Sequence, residues 1–532
     1  MNNAANTGDA ALEDIPRLLA ALPARVDDIV ALQAARMPMA DALREGERAW
    51  TYAELGASVA AVAQRLAAAG ARPGDRVLVV GENCAALVAL LFAIARIGAW
   101  PVLVNARLSA REIDAIRDHC TPRRIVYLAH VSTEAAAHAA RHGATESLVV
   151  DGMGDLRMGS QDAQCLPETD AAETSSQVGA LVYTTGTTGD PKGVMLTHRN
   201  LLFIAKVSST LRKLVPGDRV YGVLPISHVY GLASVCLGTL FAGACLQLES
   251  RFSPGAFAHA LAHSGITVAQ GVPAMYVRLL EYLRSSGQSF TAPQLRFLYA
   301  GGSPLDPKLK ADVEQLSGLP LHNGYGLTET APTVTQTRLE SPRADCSVGT
   351  AIPGVEIRIV DASGRDVAAG EPGELQVRGP NVMRGYYRNA ELTARTIDAD
   401  GWLETGDVAR KEEDGALFIV GRTKELIIRS GFNVYPAEVE AVLNAHPAVL
   451  HSAVLGRAVP GNEEVVAFVE LAPGCKASVD ELMQFAGERL APYKRPAEIV
   501  ILPALPASAT GKILKNKLRA MADARSPAAA AQ

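Results

Sequence analysis

The sequence predicts an α/β fold with a large N-terminal domain and a small α+β C-terminal domain. Over the first four hundred residues, short β-rich runs alternate with helical stretches, which is typical of two largely parallel sheets covered by helices. From residue 348 to residue 420, short β runs are separated by Gly, Asp and Pro turns, which indicates a small antiparallel β unit. A chain of 532 residues is also long enough for more than one hydrophobic core.

Apolar runs and helix caps locate the elements of the large domain. We predict strands at 77–80, 102–104, 125–128, 148–150, 179–183, 266–269 and 295–299. A helix is predicted at 87–97, and a second begins at the capping box Ser109–Glu112. A third begins at Ser253–Pro254, where Ser is the N-cap and Pro takes the first helical position. Ligands of such folds bind at the carboxyl ends of parallel strands.

The composition changes again near residue 421, and this places the domain boundary. We expect the large domain at 1–420, a hinge at 421–424 and the C-terminal domain at 425–532. Within the C-terminal domain we predict a helix at 436–443, strands near 453–455 and 465–471, and a helix capped by Ser478. We expect the Ala-rich tail, 526–532, to be disordered.

Composition excludes several functional classes. The net charge is −5, so the chain has no overall basic field to attract nucleic acid or an anionic membrane. Its most apolar runs are interrupted before they could span a bilayer, and its first residues have no signal-peptide pattern. The seven cysteines are odd in number and contain no C-x-x-C pair, so we expect buried, reduced thiols in a cytoplasmic enzyme.

A loop rich in Gly and Thr, Tyr183–Gly193, follows the predicted strand at 179–183. Its glycines allow the backbone to approach a phosphate closely, and its lysine supplies a cation. It is not a Walker loop, because G-x-x-x-x-G-K-[ST] occurs nowhere in the chain. The loop therefore predicts an anion-binding site formed by Thr184, Thr185, Gly186, Thr187, Thr188, Gly189 and Lys192.

Four further segments have residues suited to a nucleotide. In Asn323–Thr330, the ring of Tyr325 can lie against a planar base, and Glu329 is an oxygen ligand suited to Mg²⁺. In 401–407, Asp407 can accept hydrogen bonds from ribose hydroxyls. The segments 421–440 and 506–512 complete the set, and the second of them contains Lys512 beside a glycine. Taken alone, each segment can also be an ordinary turn or a solvated surface.

Together and in this order, the five segments resemble the motifs of the AMP-forming adenylating enzymes. That family includes acyl-CoA synthetases, amino-acid adenylation domains and beetle luciferases, and the resemblance runs from about residue 30 to residue 520. It implies a mobile C-terminal domain and a two-step reaction, in which a carboxylate attacks the α-phosphate of ATP and a thiol then displaces AMP. It also implies ATP, Mg²⁺ and CoA, and among family members it is closest to fatty or aromatic acid–CoA ligases.

The resemblance assigns a role to each matching residue. The phosphate loop is Thr184–Gly189 with Lys192, and the residues at the adenine are Gly301, Gly302, Asn323 and Tyr325, with Gly324 and Gly326 also among the nucleotide-binding residues. Thr328 corresponds to the residue at the α-phosphate, Glu329 and Thr184 to the Mg²⁺ ligands, and Asp407 and Arg422 to the ribose binders. Lys512 corresponds to the catalytic lysine between carboxylate and phosphate, Lys424 to the hinge, and Gly431 to the pantetheine tunnel.

The acyl pocket is predicted from Pro225–Gly231, which matches the segment that lines it in the family. Amino-acid adenylation domains usually have Phe-Asp there, whereas Ser227-His228 in this chain disfavours an amino acid. His228 can orient the substrate carboxylate or simply form the wall. The remaining wall positions carry no charge, which favours a fatty or aromatic tail over a dicarboxylate: Ser234, Val272, Ala300, Gly301, Gly326, Leu327, Ala331, Pro332 and Val334. The segment Thr328–Pro332 is closer to fatty acyl-CoA synthetases than to benzoate ligases.

Three alternative functions stay open at this point. The chain can load a carrier-protein phosphopantetheine instead of CoA, act as a non-catalytic nucleotide sensor, or hydrolyse ATP to release phosphate rather than pyrophosphate. Light emission is less favoured, because Ile428 stands where luciferases usually have lysine. A homodimer and an acetyltransferase that modifies Lys512 are two further partner hypotheses.

Overall fold

The computed structural model describes residue 12 and residues 14–150, 152–185, 191–429, 432–459, 462–507 and 513–525. Its larger sheet has nine strands, and the inner ones run parallel while β2, β15 and β16 below are antiparallel to their neighbours. Their spatial order is β16 (Thr350–Ala351), β15 (Thr333–Gln336), β14 (Leu321–Gly326), β13 (Phe297–Ala300), β12 (Val268–Gly271), β10 (Arg219–Gly222), β11 (Cys245–Leu248), β1 (Asp41–Glu45) and β2 (Arg48–Thr51).

The second sheet has five strands, of which the first three are parallel. Their spatial order is β4 (Trp100–Asn105), β3 (Arg76–Gly81), β5 (Arg124–Leu128), β7 (Leu156–Met158) and β6 (Glu146–Ser147). The strand predicted at 148–150 is wrong, because the strand is Glu146–Ser147 and only the Leu148 N–H continues the ladder, donating to the Leu156 carbonyl oxygen at 2.9 Å. Val149 is 65% exposed, and Val150 accepts a hydrogen bond from the Met153 N–H in a turn. The strand predicted at 266–269 begins later, at Val268.

Helices pack against both sheets and bury apolar residues between the layers. They are α1 (Ile15–Ala21), α2 (Asp28–Arg36), α3 (Tyr52–Ala68), α4 (Ala85–Arg96), α5 (Ala110–Cys120), α6 (Thr133–Arg141), α7 (His198–Leu211), α8 (Gly238–Phe241), α9 (Pro254–His263), α10 (Pro273–Ser286), α11 (Pro307–Ser317) and α12 (Ala390–Thr396). The caps predicted at Ser109 and Ser253 are confirmed. Helix α4 is apolar on every side because it is buried from Ala85 to Ala95.

Two smaller antiparallel sheets complete the large domain. One contains β8 (Val178–Thr185), β9 (Pro191–Thr197) and β19 (Gly385–Tyr386), so the predicted phosphate loop connects the two strands of a hairpin. The other contains β17 (Glu356–Val360), β18 (Gly373–Arg378), β20 (Leu403–Lys411) and β21 (Leu417–Arg422), which confirms the predicted antiparallel unit.

The C-terminal domain has two apolar clusters of its own, which lie within residues 427–501 and 453–522. Its strands are β22 (Ile427–Arg429), β23 (Phe432–Val434), β24 (Val449–Val459), β25 (Asn462–Leu471) and β26 (Glu498–Leu502). Its helices are α13 (Pro436–Asn444), α14 (Val479–Gly487) and α15 (Lys515–Ala524), with Ser478 as the predicted cap of α14. The predicted tail at 526–532 lies outside the described residues.

Two expectations about the whole chain can be compared with the structure. Five of the seven cysteines are buried, but Cys346 is partly exposed and Cys475 is exposed, so the prediction of uniformly buried thiols is wrong. Cys475 lies in a turn between β25 and α14, where no apolar layer covers it. No helix within the described ranges is both long and apolar enough to cross a bilayer.

Candidate active site

Strands β13 and β14 bring two of the predicted nucleotide segments together. They are parallel neighbours, with Ala300 opposite Asn323, so Gly301 and Gly302 follow one strand beside the Gly-Tyr-Gly segment of the other. Gly302 has a φ of +83°, a conformation that favours glycine. The carboxyl ends of adjacent parallel strands therefore form one edge for a ligand.

The two glycines beside Tyr325 are required by close packing. A Cβ added at Gly324 would lie 1.9 Å from the hydroxyl oxygen of Tyr299, and one at Gly326 would lie 1.9 Å from the carbonyl oxygen of Pro332. Neither position has room for a side chain. The closely packed backbone at Gly324 and Gly326 leads into a 3₁₀ turn, Thr328–Thr330, in which Thr328 is buried and its neighbour Glu329 is partly exposed.

Tyr325, Asp407 and Arg422 form a hydrogen-bonded chain. The Tyr325 hydroxyl donates to Asp407 Oδ2 at 2.5 Å, and Arg422 Nε lies 3.1 Å from Asp407 Oδ1. Asp407 and Arg422 face each other on β20 and β21, which fixes their pairing. Burial raises the pKa of Tyr325 well above 10, and the Asp407 carboxylate raises it further, so the phenol stays a donor. Three residues that were predicted from separate segments of the sequence therefore lie in direct contact.

Glu329 and Lys192 meet at a residue that the sequence analysis missed, Tyr386. The Tyr386 hydroxyl donates to Glu329 Oε1 at 2.8 Å, and Lys192 Nζ lies 5.7 Å from the centroid of the Tyr386 ring. Burial raises the pKa of Tyr386, and the neighbouring Glu329 carboxylate adds to the shift. Tyr386 is brought here because β19 pairs with β9, with Tyr386 opposite Val194. No local sequence signal marks this tyrosine.

Glu329 fits the magnesium ligand that the family resemblance implies. It is a partly exposed carboxylate whose Oε1 is oriented by Tyr386. Mg²⁺ beside a polyphosphate is usually held by one or two carboxylates, with phosphate oxygens and water supplying the other ligands. The described part of the chain has no group of three or more His, Cys, Asp or Glu able to hold a metal. Thr184 lies opposite Lys192 on the β8–β9 hairpin.

Asn323 makes protein contacts with its whole side-chain amide. Its Nδ2 donates to the carbonyl oxygens of Cys346 and Ser347, both at 3.3 Å, and its Oδ1 accepts from the Gly324 N–H at 2.9 Å. Asn323 therefore fastens the segment at 346–347 to the end of β14. An adenine at this edge would meet the backbone that Asn323 holds.

The predicted acyl-pocket segment leads into a π-helix, Tyr230–Leu237, a type of turn that is often found at functional sites. Ser227 is partly exposed and His228 is exposed, with His228 Nδ1 accepting from the Tyr230 N–H at 3.4 Å. Ser234 is buried, and its Oγ lies 3.2 Å from Thr333 Oγ1. The other predicted wall residues with buried side chains are Ala300, Ala331, Pro332 and Val334.

The pocket region also contains a charge that the sequence did not reveal. Arg212, directly after α7, is fully buried, and its Nη1 donates to the Ser234 carbonyl oxygen at 3.3 Å. We expected a wall without charge, because none of the motif positions near Tyr325 is charged. No local pattern marks Arg212, because its position looks like the ordinary basic end of an amphipathic helix.

Several predicted site residues cannot be placed. Gly186, Thr187, Thr188, Gly189, Gly431 and Lys512 lie outside the described residues. Thr184 and Thr185 are the last two residues of β8. Lys424 is exposed in a 3₁₀ turn, Thr423–Glu425, directly after β21.

Comparison with known proteins gives matches along nearly the whole chain. The family model described as AMP-binding enzyme matches residues 30–387, and that of the AMP-binding enzyme C-terminal domain matches residues 438–512. A feruloyl-CoA synthase from an Amycolatopsis species is 38% identical over 491 residues, which cover 91% of this chain and 96% of the relative. An indoleacetate–CoA ligase from Aromatoleum aromaticum is 34% identical over 490 residues, which cover 91% and 95%.

A solved structure agrees with these relatives. O-succinylbenzoate coenzyme A synthetase (MenE) from Bacillus subtilis, in complex with ATP and a magnesium ion, is similar with a TM-score of 0.79 and 30% identity. The match covers 92% of this chain and 98% of that chain, so it includes both domains.

Proposed function

The chain belongs to the family of AMP-binding enzymes, among the AMP-forming acyl-CoA synthetases, and from this premise we propose that it activates an aromatic carboxylic acid with ATP and transfers it to coenzyme A. The relatives support the aromatic class, because feruloyl-CoA synthase and indoleacetate–CoA ligase are both named for aromatic acids. Fatty acids, which the segment Thr328–Pro332 favoured in the sequence, are the competing substrates.

The reaction has two displacement steps. In the first, a carboxylate oxygen of the acid bonds to the α-phosphorus of ATP, and pyrophosphate leaves. In the second, the CoA thiolate bonds to the acyl carbon, and AMP leaves with the electron pair of the broken C–O bond. The substrate carboxylate is itself the nucleophile of the first step, so no nucleophilic side chain is required.

The main task of the protein is to offset charge repulsion between carboxylate and polyphosphate. Two unit charges 4 Å apart interact by about 4 kcal/mol at an effective dielectric near 20. Since 1.36 kcal/mol is tenfold in rate, uncompensated repulsion costs on the order of a thousandfold. We assign its compensation to Lys192 and Lys512 and to a magnesium ion on Glu329, which when bound neutralises phosphate charge and orients the phosphate oxygens.

The observation that carries the proposal is that Glu329 and Lys192 both contact Tyr386. Glu329 is four residues along the chain from Tyr325, which bonds to Asp407. A carboxylate suited to Mg²⁺ and a lysine lie at the same tyrosine, and the buried carboxylate of Asp407, suited to ribose hydroxyls, is bonded to Tyr325. This arrangement fits a nucleoside triphosphate lying from Asp407, at its ribose, towards Lys192, at its phosphates.

We also propose the domain division drawn from the sequence, with 1–420 and 425–532 moving about a hinge at 421–424. Two features support it. The C-terminal domain has its own apolar clusters, and Lys424 lies exposed in a short turn directly after the last strand of the large domain. Such motion would bring Lys512 to the site in the first step and Gly431 in the second.

The test is an acid-dependent pyrophosphate-release assay with ATP and Mg²⁺, with and without CoA. The acids run from acetate to palmitate and include benzoate, cinnamates and amino acids. We expect pyrophosphate release with aromatic acids and an aryl-CoA product when CoA is present. The variant Glu329→Gln should lose the activity, whereas Cys475→Ser, an exposed surface change, should keep it.

Each alternative function predicts a different result. A trapped adenylate without acyl-CoA would indicate a carrier-protein acceptor. Palmitate turned over faster than every aromatic acid would overturn the aromatic class. Phosphate release without pyrophosphate would indicate an ATPase, and nucleotide binding without any turnover would indicate a sensor.

We further propose that an acetyltransferase modifies Lys512. The support is the local pattern Pro506–Lys512, which resembles sites modified in acyl-CoA synthetases. Acetylation would remove the cation from the lysine assigned to the first step and so inactivate the enzyme. Mass spectrometry that finds Lys512 always unmodified in cells with an active acetyltransferase would overturn this proposal.

A further inference from the structure

Lys515 is the first residue of α15, and its ammonium group lies between two carboxylates. Its Nζ is 2.9 Å from Glu425 Oε2 and 2.9 Å from Glu440 Oε1, and its side chain is 24% exposed. Burial alone would lower the pKa of Lys515, but the carboxylates of Glu440 and Glu425 outweigh burial and hold the pKa above its usual value. Lys515 therefore stays charged and joins two acids that would otherwise repel each other.

The two acids belong to different parts of the C-terminal domain. Glu440 lies on α13, and its Oε1 also accepts from the Val454 N–H of β24 at 2.8 Å, which fixes it to the three-stranded sheet of this domain. Glu425 is the last residue of the 3₁₀ turn that contains Lys424. Lys515 therefore connects the turn at the proposed hinge to the body of the C-terminal domain.

Glu425 also acts on the last residue of β21. Burial alone would lower the pKa of Arg422, but the Asp407 carboxylate, and after it the Glu425 carboxylate, raise that pKa. Arg422 Nε lies 3.1 Å from Asp407 Oδ1, and both residues are assigned to the ribose. The charges therefore form a row that runs from the nucleotide edge, through Arg422 and Glu425, to Lys515 on the other side of the hinge.

Lys515 also stands beside the base of the segment that contains Lys512. The two ends of that segment are paired, because Ala507 and Ile513 form an antiparallel bridge. One residue separates Ile513 from Lys515 along the chain. The contact between Lys515 and Glu425 therefore joins the hinge turn to the base of the Lys512 segment.

We propose that Lys515 is a positioning residue for the adenylation step, and that its contact with Glu425 makes the hinge turn and the base of the Lys512 segment move as one body. This inference rests on the proposed function, in which Lys512 acts in the first step and Gly431 in the second. Without the contact, the turn and α15 move independently, and a smaller fraction of the molecules presents Lys512 to the substrate carboxylate. The rate of the first step falls in proportion to that fraction.

Arg457 shows a bridge of the same kind that has no connection with the hinge. Its guanidinium also lies between two carboxylates, Glu464 at 2.7 Å and Glu498 at 2.5 Å, and its side chain is 6% exposed. All three residues belong to strands of one sheet, β24, β25 and β26. Arg457 therefore stabilises the C-terminal domain without reaching the hinge turn, which makes Arg457→Met the matched control.

The test measures the two steps separately in the full chain. The first is followed by pyrophosphate release without CoA, using the aromatic acid that turns over fastest in the pyrophosphate screen. The second is followed by acyl-CoA formation from the synthetic adenylate of the same acid. We expect Lys515→Met to slow the first step by about 10- to 100-fold, the range for loss of one charge-assisted hydrogen bond, and to leave the second step unchanged. Lys515→Arg keeps the charge and should recover most of the first-step rate.

A second variant tests the contact from its other side. Glu425→Gln removes the carboxylate charge but keeps the shape of the side chain, and it should also slow only the first step, even if Lys515→Met fails to fold. Arg457→Met should lower the melting temperature and leave the ratio of the two rates as in the wild type. Lys517→Met replaces an exposed lysine of the same helix and should change neither rate.

The outcomes separate this inference from the proposed function. If Lys515→Met and Glu425→Gln slow both steps by the same factor, the contact has only a structural role and the inference is wrong, while the ligase function stands. Wild-type rates of the first step in both variants, or a larger loss in the second step, would also overturn it. No pyrophosphate release with any acid in the wild type would instead refute the proposed function.

Discussion

Replacing Tyr386 by Phe tests the assignment of Glu329 most directly. The substitution keeps the ring beside Lys192 and removes only the hydroxyl that donates to Glu329 Oε1 at 2.8 Å. Without that donor the carboxylate can rotate away from the orientation that the nucleotide-bound metal requires. We therefore expect slower adenylation without a change in the fold.

The size of the effect follows from the geometry of this bond. A hydrogen bond to a charged group contributes about 1.5–3 kcal/mol when it is buried. Because Glu329 is partly exposed, water can replace part of that contribution, and about 1–2 kcal/mol is the relevant range. At 1.36 kcal/mol per factor of ten, this corresponds to a loss of about 5- to 30-fold in kcat/KM for ATP.

The assay measures pyrophosphate release against ATP and Mg²⁺ concentration, and calorimetry measures MgATP binding in the absence of acid. We expect the Mg²⁺ concentration for half-maximal rate to rise and MgATP binding to weaken, with an unchanged melting temperature. Tyr387→Phe is the matched control, because its hydroxyl bonds to Glu168 instead. Wild-type kcat/KM and Mg²⁺ dependence in Tyr386→Phe, or an equal loss in Tyr387→Phe, would refute the reasoning.

Three further predictions concern the nucleotide edge and stability. Tyr325→Phe removes the hydroxyl that donates to Asp407, and we expect the KM for ATP to rise about tenfold; an unchanged KM would contradict this. Gly326→Ala places a Cβ 1.9 Å from a carbonyl oxygen, and we expect the free energy of unfolding to fall by about 1–3 kcal/mol. The control Gly217→Ala has open space around it and should keep the wild-type free energy of unfolding. Burial lowers the pKa of His322 from 6.5 to about 4, so the folded state resists its protonation and stability falls as the pH drops below 6.5. Between pH 7 and pH 5, the free energy of unfolding of the wild type, measured by chemical denaturation, should fall by about 2 kcal/mol more than that of His322→Asn. If the free energies of unfolding of the two proteins change with pH in parallel, the prediction is wrong.

The elements that the sequence predicted best are those with a local signal. Helix α4 is apolar on every side, and the caps at Ser109 and Ser478 accept from the backbone three residues on, so neighbouring residues alone specify them. The strand predicted at 148–150 had no such support. Three apolar residues fit a strand equally well as a turn, and the segment that pairs with β7 as a strand is Glu146–Ser147.

The motifs located the nucleotide residues but not the contacts between them. Tyr325 and Asp407 were each predicted from their own segment, yet their hydrogen bond joins residues 82 positions apart. Tyr386 was missed because its partner, Glu329, is 57 positions away and belongs to a different motif. Arg212 was missed for the same reason, since nothing in the sequence shows that it points inward. Long-range packing, and not local pattern, decides these three contacts.

Tyr299 links the acyl and nucleotide sides of the site. Its ring carries the contact with Arg212, and its hydroxyl oxygen occupies the space where a side chain at Gly324 would lie. A close-packed interior transmits small displacements, because the neighbouring atoms have no free volume to move into. A displacement of the Tyr299 ring would therefore also displace the strand end that carries Tyr325 to Asp407. The position of the Tyr299 hydroxyl therefore explains why a glycine must stand at position 324.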